Sequence, residues 1–193
     1  VDAQGRITSA ADGSGGGSLV PKFAADGPSS GTYTANASAT EIMIYGVGGG
    51  GGSGGGNGRY NTSRGGNGGA GGFGVYRKTI SAPFAQTYNV GAAGVGGNLG
   101  IDNTPGTDGN SGGSTSITNV FTTNGGGGGE GKLSGTGTDG SAGTVTNSPT
   151  TADLGTGAGN GSLLAGGTGG VTNANKQQGT PGIAGGLVVF ENV

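Results

Sequence analysis

The chain has 193 residues, 55 of them glycine, with only 29% apolar and 9% charged residues; an ordinary side-chain core needs more apolar matter, so the chain is either disordered or held by main-chain hydrogen bonds in place of side-chain packing. A formal charge of −2 with eight scattered Lys and Arg gives no basic face for nucleic acid. There is no cysteine, which excludes a disulfide scaffold, and no histidine, which removes the commonest general base and metal ligand.

Taken in chain order, residues 1–30 read as an N-terminal arm, and 31–193 as one glycine-rich domain. The start at Val1 reads as a processed end or as the beginning of a piece of a longer protein. Residues 1–7 spell a short strand and turn, and 11–18 a Gly/Ser linker. Residues 32–47 predict two short strands or one long one. Ile42 and Ile44 share one face and Met43 and Tyr45 the other, which predicts burial on both sides. Residues 73–90 read as a hairpin turning near Ser81-Ala82-Pro83. A further strand is predicted within 114–123, around Ile117, Val120 and Phe121, and a last one over 187–193. The apolar runs 42–45 and 187–190 are far too short to span a bilayer, which takes about 20 residues, and no signal-like segment is present. No helical period is found, and glycine and threonine disfavour helix throughout.

Between these strands the glycines recur every three residues. Gly91, Gly94, Gly97 and Gly100 form one such series, Gly106, Gly109 and Gly112 a second, and Gly179, Gly182 and Gly185 a third. The denser stretches 46–58, 65–74, 125–131 and 137–143 fit the same spacing, but dense stretches match any period. Three residues per turn is the repeat of a polyproline-II-like helix, which makes no internal hydrogen bonds. Side by side, such helices donate and accept between neighbours, and glycine allows their backbones to approach. Collagen shares the period but demands unbroken Gly-X-Y and abundant proline. Here the register breaks at every loop and there are six prolines. The predicted fold is therefore mainly irregular and all-β, with no α-helix: a bundle of polyglycine-II helices on a small antiparallel β base.

Strands and glycine runs alternate, so parity assigns directions. If the strands gather at one end, runs 46–58, 91–100, 125–131 and 155–170 leave the base. Runs 65–74, 106–112, 137–143 and 179–185 return to it. Loop 144–154 falls at the base, with no account of its length. Four loops then meet at the far end: 59–64, 101–105, 132–136 and 171–178. Their candidate binding residues are Arg59, Tyr60, Asn61, Arg64, Ile101, Asp102, Lys132, Leu133, Lys176 and Gln177. Loops on a rigid scaffold are where binding residues tend to sit. Arg59, Tyr60 and Arg64 are the most binding-like cluster, since Tyr and Arg are enriched at interface hot spots.

The residues Glu41-Ile42-Met43-Ile44-Tyr45-Gly46-Val47 ahead of Gly48 to Gly52 resemble the start of the glycine-rich domains of phage tail-fibre proteins. Gln86-Thr87-Tyr88-Asn89-Val90-Gly91-Ala92-Ala93-Gly94 is similar to their recurring strand-to-glycine step. Gly113-Ser114-Thr115-Ser116 and the closing Gly185-Gly186-Leu187-Val188-Val189-Phe190 are similar as well. The likeness covers about residues 32–193 and rests on low-complexity motifs. It implies a layered polyglycine-II fold like that of the tail-tip adhesins of T-even-type phages. It also implies an extracellular, virion-borne receptor-binding protein whose variable loops meet a host cell-surface glycan or outer-membrane protein. Such fibres are commonly trimers, and the arm favours a homotrimer here. No catalytic motif or cofactor is implied, and no binding residue transfers by position.

Other readings are weaker. Gly126 to Lys132 spells G-x-x-x-x-G-K, but Leu133 stands where a phosphate loop needs Ser or Thr. Asp102 and Asp108 read as turn residues in preference to a cation site, so no metal is expected. Three N-x-S/T triplets, at Asn36, Asn61 and Asn160, spell glycosylation acceptors that are incidental in a bacterial virus. No paired carboxylates are readable, so the chain is read as non-enzymatic. The alternatives kept are a self-assembling extracellular filament subunit without a receptor and, behind it, an ice-binding protein.

Overall fold

The computed structural model describes residues 19–147, 156–158 and 177–193. Ten strands follow in chain order: β1 (Leu19–Asp26), β2 (Ser29–Thr34), β3 (Glu41–Val47), β4 (Gly72–Thr79), β5 (Ala85–Val90), β6 (Thr115–Ile117), β7 (Phe121–Thr123), β8 (Val145–Asn147), β9 (Thr156–Ala158) and β10 (Gly186–Asn192). They form two five-stranded antiparallel sheets, in the orders β1-β10-β3-β4-β9 and β2-β5-β6-β7-β8. There is no helix among the described residues, and so none long and apolar enough to cross a membrane.

Alternation along the strands builds the core between the sheets. In β3, Ile42 and Ile44 are fully buried, while Met43 and Tyr45 are half-buried on the outer face. Only the inner side is therefore closed; the outer side is partly covered by Tyr45 and Phe190, whose rings meet edge to face at 5.3 Å. Register aligns Val189, Ile44 and Tyr76 across three strands, and Leu187, Gly46 and Gly74 beside them. The Phe121 ring of the opposite sheet sits over those two glycines. A methyl group on Gly46 would lie 2.3 Å from its Cε1, and one on Gly74 3.1 Å from its Cε2. Two polar groups are buried here with partners. Glu191 accepts from the Tyr33 hydroxyl (2.8 Å) and the Asn36 amide (3.1 Å). Thr115 donates its hydroxyl to the Val47 carbonyl (2.7 Å) and accepts from the Gly91 amide (3.0 Å).

The segment 73–90 is not a hairpin. Its two strands lie in different sheets, because β4 is already flanked by β3 and β9. The Ile80 amide donates to the Thr40 carbonyl (2.9 Å), which carries β4 to the start of β3. Pro83 has no N–H with which to continue a ladder. The Ala35 amide then takes the Phe84 carbonyl (3.0 Å) and hooks the chain onto the second sheet. Conversely, 114–123 is two short strands, β6 and β7, turned at Asn119 with φ 58°. Residues 19–30, read from sequence as the end of an arm, supply β1 and the first residues of β2. Residues 1–18 of the arm, 148–154 of the base loop and most of the outward stretch 155–170 lie outside the described residues.

The glycine runs leave the sheets as extended spirals, knitted sideways. Along 48–56 the amides donate in strict rotation to three neighbours. Gly48, Gly51 and Gly54 reach Gly72, Gly69 and Gly66; Gly49, Gly52 and Gly55 reach Gly113, Asn110 and Thr107; Gly50, Ser53 and Gly56 reach Ile183, Thr180 and Gln177, all at 2.8–3.0 Å. These three neighbours run opposite to the central spiral. Two more run with it: Gly126, Gly129 and Lys132 donate to Gly49, Gly52 and Gly55, and Gly94, Gly97 and Gly100 to Gly50, Ser53 and Gly56. A change of partner at each residue with return every third is the hydrogen bonding of a polyglycine-II bundle, and the directions agree with parity for every described run. A methyl on Gly52 would fall 2.1 Å from the Val95 carbonyl oxygen, and one on Gly51 1.9 Å from that of Gly127. The enclosed spiral therefore needs glycine almost throughout, whereas peripheral runs such as 91–100 need it only where they face inward.

Candidate functional site

The spirals set the geometry of the end remote from the sheets. From Gly48 to Asn57 the chain rises about 30 Å at roughly 3.1 Å per residue. There Asn57, fully buried, ends the central run and ties three segments together. Its Nδ2 donates to the Asp102 carbonyl (3.1 Å) and to that of Thr104, and its Oδ1 accepts from the Arg59 amide (2.8 Å). Its own amide donates to Ser63 Oγ (2.6 Å), whose hydroxyl in turn donates to the Lys132 carbonyl (2.8 Å). Arg64 then bridges to loop 132–136: its amide donates to the Gly135 carbonyl, and its carbonyl accepts from the Gly137 amide, both at 2.8 Å. Gly135, with φ 76°, makes that loop's turn. The Gln177 carbonyl accepts from the Gly56 amide (2.8 Å), which places Gln177 alongside the end of the central run.

The structure thus places Arg59, Tyr60, Asn61, Arg64, Ile101, Asp102, Lys132, Leu133 and Gln177 at the end remote from the sheets. Lys176 lies outside the described residues. Arg59, Asn61, Ile101, Asp102 and Gln177 are exposed; Tyr60, Arg64, Lys132 and Leu133 are half-buried. Ile101 keeps 70% of its surface exposed, a large apolar side chain with no core to join. The Arg59 guanidinium lies 5.9 Å from the Tyr60 ring centroid. Both donate to one acceptor, Asn103 Oδ1, at 3.2 Å and 2.8 Å. Lys132 is less available, because its Nζ donates to Glu130 Oε1 at 2.7 Å. The Lys132 ammonium, with the Thr138 amide on the other oxygen, holds the Glu130 carboxyl down at about 2.

Sequence reasoning overlooked Asn57, Ser63 and Asn103, which position this end. The Asn57-Gly58 step, where a dense glycine run stops, marks the first. Nothing in the sequence distinguishes Asn103 from its neighbours. The G-x-x-x-x-G-K spelling is no phosphate cradle: the amides of Gly126, Gly129 and Glu130 are committed to Gly49, Gly52 and Thr138 carbonyls. Asp102, with φ 49°, is the turn residue expected. Asp108 instead lies inside a spiral and accepts from the Gly131 amide at 2.7 Å. Among the described residues no three His, Cys, Asp or Glu side chains gather as metal ligands do.

A family model described as a glycine-rich domain matches residues 25–191. The chain belongs to this glycine-rich domain family. The match runs from the last two residues of β1 into β10, so the strands between them and every described spiral fall within it, while residues 19–24 of β1 precede it. Comparison with curated proteins gives no match.

Proposed function

We propose that this glycine-rich domain is a non-enzymatic adhesin of a phage tail fibre, presented outside the cell on the virion. Its distal loops would attach the particle to a glycan or an outer-membrane protein of the host surface. The observation carrying this reading is the convergence of loops 59–64, 101–105 and 132–136 on the Asn57 knot, at the end of a hydrogen-bonded slab. Such loops can change sequence without disturbing the scaffold, which suits a surface that must follow a changing receptor. Homotrimer formation belongs to the same proposal, through the arm preceding β1.

One observation weighs against the filament alternative. The edge strand β1 carries Pro21 and Lys22, with an irregular register between Pro21 and Phe23. Proline, lysine and irregularity are the features that oppose edge-to-edge pairing.

The test is adsorption. Purified chain on beads should be retained by cells of at least one candidate host, and soluble chain should block particles from attaching to them. Absence of retention on every host, together with normal attachment of fibres lacking the domain, would refute the proposal. Long helical polymers under the electron microscope would favour the filament.

A further inference from the structure

We infer that loop 59–64 receives an anionic sugar, with Arg59 and Arg64 on its carboxylate or phosphate and Tyr60 against its ring. This rests on the adhesin reading and names the chemistry of what the tip would hold.

Arg59, Arg64 and Lys132, three of the eight Lys and Arg, lie in the described tip loops with a single acidic residue, Asp102, although the whole chain is acidic at −2. The ion pairs among the described residues are Arg77 with Glu41 and Lys132 with Glu130. Neither Arg59 nor Arg64 therefore has a carboxylate partner there. Arg59 instead donates to the neutral amide oxygen of Asn103, which it shares with Tyr60. A guanidinium prefers a charged, two-oxygen acceptor to a shared neutral one, since charge-assisted forked bonds are about twice as strong. The exposed Arg59 is thus aligned over an aromatic ring but not saturated.

Arg64 gives an independent sign. Its Nε is buried and without a hydrogen-bond partner, alone in this respect among the buried side-chain N and O atoms described. The guanidinium cannot shed its proton, so this orphaned donor destabilises the resting rotamer. The Arg64 main chain is clamped on both sides by Gly135 and Gly137. Strain can therefore be relieved only by the side chain, which is poised to turn its Nε–Nη edge to an incoming oxyanion. With Tyr60 between the two arginines in sequence, the loop offers an aromatic face for a sugar ring and forks for its acidic group.

The experiment uses the full chain, labelled with nitrogen-15. Galacturonate oligomers, glucose 6-phosphate and uncharged galactose oligomers are titrated in turn, and the arginine Nε–H signals are followed. Signals of Arg64 and Arg59 should move with the acidic sugars and stay still with galactose. Comparison of the uronate and phosphate arms identifies which source of negative charge is preferred. R59Q and R64Q should each weaken binding about tenfold, the loss of one charge-assisted bond. R64K should recover part of the loss, and K22Q, on β1, should change nothing. An equal response to galactose, or unchanged binding by both glutamine variants with melting temperatures intact, overturns the inference. So does retention on cells that protease abolishes and glycan oxidation spares, which would mean a protein receptor. Cells retained equally by wild type and R59Q/R64Q would sink this inference and leave the adhesin standing. Acidic sugars bound by a chain that no cell retains would do the reverse.

Discussion

Gly52→Ala is the sharpest test of the spiral bundle. The added methyl would sit 2.1 Å from the Val95 carbonyl oxygen, 2.4 Å from its carbon and 2.8 Å from the Gly96 nitrogen. These are main-chain atoms, so no side chain can turn aside, and the spirals must part by more than 1 Å, roughly the gap to ordinary contact. Parting them breaks bonds that Gly52 makes in two other directions, from its amide to Asn110 and to its carbonyl from Gly129, both 2.9 Å. Each buried group left unpaired costs about 1–3 kcal/mol. The entropic gain of replacing glycine by alanine returns only about 0.4–1 kcal/mol. The net loss should be about 3–5 kcal/mol, or a melting temperature lower by about 6–20 °C for a chain of this size. Gly135→Ala is the control. Nothing lies within 4 Å of its added methyl, and only φ 76° opposes the change, at about 1–2 kcal/mol. Melting should be followed by the tyrosine signal of the sheets. If Gly52→Ala melts within about 2 °C of wild type, which corresponds to under about 1 kcal/mol, the close lateral packing described above is wrong.

Three further outcomes follow from particular bonds. Asn57→Ala removes two donors to loop 101–105 and the acceptor for the Arg59 amide; it should cost about 1–3 kcal/mol, and hydrogen exchange at Arg59 should quicken while the sheets stay protected. Burial, then the Glu191 hydrogen bond and charge, raise the Tyr33 phenol well above its ordinary value of 10.0. A raised folded value stabilises the fold fully below pH 10 and is lost as pH climbs above it, so alkaline melting curves should be flatter in Tyr33→Phe than in wild type. The Glu130 carboxyl, at about 2 against an ordinary 4.5, acts in the opposite sense: its contribution is present above the ordinary value and fades as pH falls towards 2. Carbon-13 titration of Glu130 should give a midpoint near 2, moving back towards the ordinary value in Lys132→Met.

Much of this architecture is legible in the sequence, because backbone geometry writes itself into the spacing of glycine. The sparse series at 91–100, 106–112 and 179–185 mark inward-facing positions of outer spirals, and parity alone gives their directions. The dense stretch 48–56 looks uninformative as periodicity, yet its density reports enclosure on nearly every side. The sheets are less readable. Alternation in 75–80 and 86–90 is the same whether two strands pair with each other or with strands of separate sheets, and only the flanking of β4 by β3 and β9 decides. β1 is disguised by its Pro21 and Lys22, residues that disfavour a strand on propensity while suiting an edge. At the tip, position was derivable but contact was not: the sharing of Asn103 between Arg59 and Tyr60 depends on where loop 101–105 closes.

The rotation of bonding partners along the central run has a consequence for how such a slab could evolve. A single residue inserted into one spiral would turn all later amides by a third of a revolution and aim each at the wrong neighbour. Growth in length must therefore come in triplets, matched across every adjoining spiral at once. Loops at the ends are free of that arithmetic, so inheritance can edit the tip residue by residue while the shaft beneath changes only in whole turns.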